Sequence, residues 1–221
     1  MPATERSRFV FVPGLGADGS VYKPFLDAFR SDYDVRSADS APRFPERLSW
    51  NFFFSSIDRQ VGTRPVTLVG HSMGGAIALK YAASHPERVA QVIAIAPVLF
   101  PFKRERHRFR ESAWNAFIAT VSGHMLHGAR ALRTTRRCLS EGRARKLFAF
   151  TDTIDLARDL PKLRQAVILF PEHEEVVPKA QLERVRKEFP NIRTAYIPGS
   201  HHHVALAPKW VITAVRKELD A

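Results

Sequence analysis

Residues 66–82, VTLVGHSMGGAIALKYA, constrain the fold of this chain more than any other stretch. Val66, Thr67, Leu68 and Val69 make a short apolar and β-branched run that suits a buried strand. The run AIALKYA that follows is alanine-rich and suits a helix. Between them stands Gly70-His71-Ser72-Met73-Gly74. A serine on so sharp a strand-to-helix turn must adopt strained backbone angles. Glycines two residues to either side remove the Cβ atoms that would collide as strand and helix approach. The result is a hydroxyl exposed above the sheet, with the N-terminal dipole of the next helix beneath it. The pentapeptide alone is a weak signal. Its place between strand and helix gives it weight.

The same alternation recurs along the chain. Strand-like runs fall at 9–12, 33–37, 66–70, 89–97, 166–170 and 192–198. Helix-like runs fall at 20–31, 45–61, 73–85, 179–189 and 207–219. This pattern predicts an α/β fold: a doubly wound, mostly parallel sheet of about six strands with helices on both faces. Residues 98–160 break the alternation, being basic, helix-like and free of strand signals. They are expected to form an inserted helical lid, with residues 1–97 and 161–221 making the core. At 221 residues, one domain with a substantial core fits.

Charge is unevenly placed. The formal net charge is +12. Residues 98–148 hold twelve Lys or Arg and three acids, a net of nine positive charges in less than a quarter of the chain. Such a segment is either a solvated face or a surface for an anionic substrate or partner. No zinc-finger spacing or RNA-binding aromatic signature accompanies it, which argues against nucleic acid. The longest apolar stretch, 89–102, is too short and too interrupted to span a membrane. The start, MPATERSRFVFVPG, has charges but no long apolar segment and no small-residue cleavage site, so no signal peptide is expected. A single cysteine, Cys138, permits no internal disulfide, and a cytoplasmic location is expected.

The residues around Ser72 resemble the α/β-hydrolase family. GHSMGG matches the wording of its nucleophile elbow, and HPERV (85–89) before an apolar strand is its usual sequel. FVFVPGLGADGSVY (9–22) looks like its first oxyanion segment, with Pro13 where many members have histidine. The resemblance covers nearly the whole chain except the lid. The family's usual first two antiparallel strands have no counterpart here.

The resemblance implies a triad in the order serine, acid, histidine. Aligned on Val176-Val177-Pro178, Glu174 falls at the acid position, where members often have aspartate. Glu172 and Glu175 are its rivals, and Asp152 and Asp155 more naturally belong to the lid's exit. After the sixth strand, IPGSHHH resembles the Pro-Gly-x-Gly-like turn that precedes the family's histidine. That spacing selects His202, with His201 and His203 next in line. The oxyanion hole is expected from the backbone amides of Leu15 and Met73. His71 is expected to point away from the chemistry, and Cys138 to be structural.

The expected activity is therefore that of a serine hydrolase cleaving a carboxylic ester through an acyl-enzyme. The triad would be Ser72, Glu174 and His202, with no metal or organic cofactor. The substrate would be a small-molecule acyl ester. In an alternative reading, an acyl-CoA or acyl carrier protein docks on the basic lid for thioester or carrier-linked ester hydrolysis. An acyltransferase or a non-catalytic binding module are lesser alternatives.

Overall fold

The computed structural model describes residues 6–39, 45–101 and 143–220. Six strands form one sheet: β1 (Arg8–Val12), β2 (Asp34–Ser37), β3 (Val66–His71), β4 (Val89–Ile95), β5 (Ala166–His173) and β6 (Arg193–Ser200). Their order is β2-β1-β3-β4-β5-β6, and every pairing is parallel. All six strands therefore end at the same edge of the sheet.

Seven helices accompany them among the described residues: α1 (Lys23–Asp27), α2 (Trp50–Asp58), α3 (Met73–Ser84), α4 (Arg143–Thr151), α5 (Lys179–Glu188), α6 (His203–Leu206) and α7 (Lys209–Leu219). Three of them, α3, α5 and α7, match predicted runs to within two residues, and α2 lies inside its predicted run of 45–61. The first is much shorter than its predicted span of 20–31. Past Asp27 the chain passes into successive tight turns, with Phe29 bonded to the Leu26 carbonyl and Tyr33 to that of Phe29. Phe25, Phe29 and Tyr33 still gather on Phe9 with ring centroids 5.3–6.4 Å apart. Apolar spacing at this site thus reports burial rather than continuous helix.

Side chains alternate across the sheet with the strand period of two. Val10, Leu68, Val92 and Ile168 face a core shared with α2, α3, α4 and α5. Phe9, Phe11, Val69, Ile93 and Leu169 face a second core shared with α1 and α7. This two-faced burial is what the continuous apolar strands require.

Most of the expected lid, residues 102–142, lies outside the described residues. Its flanks are core. Val98, Leu99 and Phe100 are buried, as are Leu147, Phe150, Ile154 and Leu156. The Gln181 side chain accepts hydrogen bonds from the Leu99 and Phe100 amides at 2.8 and 3.2 Å, anchoring the exit from β4 to α5. Among the described residues, no helix is long and apolar enough to cross a membrane.

One contact sets how closely α3 approaches the sheet. A Cβ on Gly74 would overlap the carbonyl oxygens of Val12 and Pro13, and one on Gly70 would overlap the Gly74 carbonyl. The helix therefore sits directly against the end of β1. Alanine in a helix interior normally stabilises by about 1 kcal/mol over glycine. Here the sign should reverse. Gly74→Ala is expected to cost about 1–3 kcal/mol, because two pieces of backbone must move apart. Urea unfolding measures it, and a variant as stable as the parent would contradict the close approach.

Candidate active site

Ser72 occupies the junction of β3 and α3 with φ 55° and ψ −123°. This backbone conformation is rare for a residue with a side chain and costs on the order of 1–3 kcal/mol. The surrounding structure enforces it. The Ser72 amide donates to the Ile95 carbonyl at 2.9 Å, and the Ser72 carbonyl accepts from the Ala76 amide at 3.2 Å and the Val98 amide at 3.4 Å. The residue is buried to the margin, with 9% of its surface exposed. Met73 follows as the first residue of α3, where helix geometry leaves an amide without an intrahelical acceptor.

At the end of β1 the chain turns through Gly14-Leu15-Gly16, closed by the Ala17 amide on the Gly14 carbonyl at 3.1 Å. Leu15 packs against the first core. The overlap a Gly74 side chain would cause shows how near this turn's origin lies to α3.

Glu174 is the first residue after β5. Its side chain is fully buried, and Oε1 accepts the amides of Val176 and Val177, each at 2.8 Å. Both carboxylate oxygens lie at 2.9–3.0 Å from Nδ1 of His201. Burial alone would raise this carboxyl's pKa. The His201 charge and hydrogen bond, with the two amides, outweigh it and hold the group below the ordinary glutamate value. The longer side chain suits this role, folding back over its own loop to collect the two amides. Of the rival acids, Glu175 accepts the His201 amide at 3.4 Å but does not reach its ring, and the others stand elsewhere. Glu172 and Asp155 are exposed, and Asp155 accepts the Ala157 amide at 3.1 Å.

The sequence expectation pairs Glu174 with His202; in the structure its carboxylate meets His201. β6 runs on through Ser200, with Gly199 turned at φ 81°, so the chain leaves the strand directly at His201. No second glycine intervenes, and the turn is one residue shorter than the aligned pattern. The three histidines then diverge. His201 is buried and meets Glu174. His202 is the residue before α6, with Nε2 3.6 Å from Glu175 Oε1. Burial, with the neighbouring His201 charge, pulls its pKa down to about 4. His203 Nδ1 accepts the Ser200 amide at 2.9 Å, with its ring edge-on to Trp210.

His71, expected to point away from the chemistry, points into the protein. It is buried immediately before Ser72, with its ring 4.6 Å from that of His201, centroid to centroid. Nε2 lies 3.0 Å from the His201 carbonyl oxygen, and Nδ1 lies 2.8 Å from the Tyr22 hydroxyl. Burial first, then the charges of His201 and His202, lower its pKa well below the ordinary histidine value. His71 and Tyr22 are the site neighbours that sequence reasoning missed. The available signal was a histidine closing an almost wholly buried strand, since such a ring must find partners inside.

Ser72, Glu174 and His201 thus follow β3, β5 and β6 at one edge of a parallel sheet. A family model described as "Alpha/beta hydrolase family" matches residues 9–214. The chain belongs to the alpha/beta hydrolase family. Two relatives share local similarity with it. One is abhydrolase domain-containing protein lid-1 of Caenorhabditis elegans, 28% identical over 129 residues, 52% of this chain and 36% of that protein. The other is the pimeloyl-[acyl-carrier protein] methyl ester esterase of Aliivibrio salmonicida, 30% identical over 95 residues, 42% of this chain and 36% of that protein. The matches span only about a third of each relative. Among solved structures, the alpha/beta hydrolase MGS-M2 from a Medee basin deep-sea metagenome library superposes with a TM-score of 0.76. Its identity is 15%, and the match covers 100% of this chain and 92% of that one. At that identity the likeness concerns the fold of this alpha/beta hydrolase.

Proposed function

We propose that this alpha/beta hydrolase cleaves a carboxylic ester through an acyl-enzyme on Ser72, with His201 as base and Glu174 as its orienting carboxylate. The observation that carries this reading is the buried Glu174–His201 pair, lodged against the residue that precedes the strained serine. With Glu174 holding a proton on Nδ1, the Nε2 lone pair of His201 is the one free to take a proton. Ser72 Oγ attacks the acyl carbonyl as that proton moves to Nε2. The Met73 and Leu15 amides receive the oxyanion. His201 then returns the proton to the departing alcohol. A water deprotonated by His201 releases the acid and regenerates Ser72. Esterase activity in the Aliivibrio relative agrees with this chemistry. A panel of p-nitrophenyl esters of graded chain length, with one acyl thioester included, tests it. Turnover of at least one ester is expected, and inertness toward every member would overturn the reading.

A carrier-linked substrate is a second reading, favoured by the nine net positive charges of residues 98–148 and by the carrier-protein ester named for the Aliivibrio relative. Exposed charge steers over a Debye length, which falls from about 10 Å at 0.1 M salt to about 3 Å at 1 M. For an acyl-CoA or acyl-carrier ester, kcat/KM should therefore drop steeply with salt. For a neutral p-nitrophenyl ester it should barely change. Replacing Arg133, Arg136 and Arg137 by glutamine should reproduce the high-salt behaviour at low salt. Equal salt dependence for both substrates would leave a plain small-ester hydrolase.

A further inference from the structure

Four groups form a continuous buried hydrogen-bonded chain across the top of the sheet. The Gly14 amide lies 3.3 Å from the Tyr22 hydroxyl, which lies 2.8 Å from His71 Nδ1. His71 Nε2 lies 3.0 Å from the His201 carbonyl. The two ends belong to different loops: Gly14 precedes the proposed oxyanion donor Leu15, and His201 is the proposed base.

The partners dictate where each proton sits. A carbonyl oxygen can only accept, so His71 Nε2 must carry a proton and donate it to His201. An amide can only donate, so the Tyr22 oxygen accepts from Gly14. The Tyr22 hydroxyl proton then goes to the remaining acceptor, the unprotonated Nδ1 of a neutral His71. Every donor and acceptor in the series is used once in one direction. Adding a proton at Nδ1 would leave the Tyr22 hydroxyl proton facing another donor. Tyr22 and His71 are both buried, so a lost link has no solvent to replace it.

We propose that Tyr22 and His71 are positioning residues, a proton-ordered strut that holds the oxyanion loop at Gly14-Leu15 in register with the base-bearing loop at His201. This rests on the triad reading given above. The strut spans the two groups that must act on one carbonyl at once, a donor to its oxygen and a base for the attacking serine. At both ends the strut bonds to backbone atoms, the Gly14 amide and the His201 carbonyl, and so acts through the loops. The chain also spends the Gly14 amide on Tyr22, which leaves the next amide, that of Leu15, for the oxyanion. Its effect should therefore fall on stabilisation of the tetrahedral state rather than on substrate binding.

Tyr22→Phe keeps the ring and removes only the hydroxyl. Ester turnover should be measured per serine titrated with a fluorophosphonate, so that unfolded protein is not counted. On that basis kcat should fall about tenfold or more, as for other small misplacements of catalytic groups. KM should stay within about twofold. Affinity for a trifluoromethyl ketone, which forms a tetrahedral adduct with serine, should fall by the same factor as kcat. An unchanged kcat per titrated serine, or an unchanged ketone affinity, would overturn the strut. A parallel readout needs no turnover. Nitrogen-15 NMR of histidine-labelled protein should show His71 as the Nε2-protonated tautomer at neutral pH, its exchange slow in the parent and faster in Tyr22→Phe. A proton on Nδ1 would overturn the chain itself. Failure of the parent enzyme to react with the fluorophosphonate would instead overturn the triad reading, an outcome separate from either result on the strut.

Discussion

Ser72→Ala is expected to lose ester turnover by about 10⁴-fold or more, because removing a nucleophile removes the covalent route altogether. A fluorophosphonate probe should label the parent at Ser72 and leave the variant unlabelled. The substitution should hardly disturb the fold. Alanine meets the same left-handed backbone demand as serine, and the hydrogen bonds that hold the elbow run through backbone atoms, from the Ser72 amide to Ile95 and from Ala76 and Val98 to the Ser72 carbonyl. Intact melting behaviour with lost labelling is therefore the expected pair of results. Full labelling of Ser72→Ala would refute the assignment of the nucleophile.

His201→Ala should reduce turnover by a similar factor, about 10⁴-fold. His202→Ala and His203→Ala should each retain most of the activity. The contrast follows from their partners. His201 alone of the three meets the buried carboxylate of Glu174. His202 sits beside the half-exposed Glu175, and His203 is engaged with the Ser200 amide. Measuring the three alanine variants side by side decides the register of the tract. An inactive His202→Ala beside an active His201→Ala would return the base to His202.

Much of the architecture was legible from the chain itself, because parallel strands buried on both faces announce themselves as apolar runs. The strand at 66–71 and its serine turn carry the clearest signal, since glycines there serve a steric need visible in the sequence. The Val176-Val177-Pro178 anchor led to Glu174, where the structure finds a carboxylate bonded to histidine. The histidine tract was different. Three identical residues in succession offer no chemical contrast, and their register depends on the length of a turn. That length is set by Gly199 and by β6 continuing through Ser200, which no local pattern records. Tyr22 and His71 were missed for another reason. They are 49 residues apart, and only the folded sheet brings the hydroxyl to the ring. The helix at 23–27 ended early because aromatic packing satisfies burial without a full helix.

The backbone of Ser72 is distorted before any substrate arrives. Its cost, on the order of 1–3 kcal/mol, is met when the chain folds and so does not recur in each catalytic cycle. A domain of this kind has only about 5–15 kcal/mol of net stability in total. A noticeable share of it is thus held at one dihedral pair, as readiness at the hydroxyl proposed to react in place of resistance to unfolding.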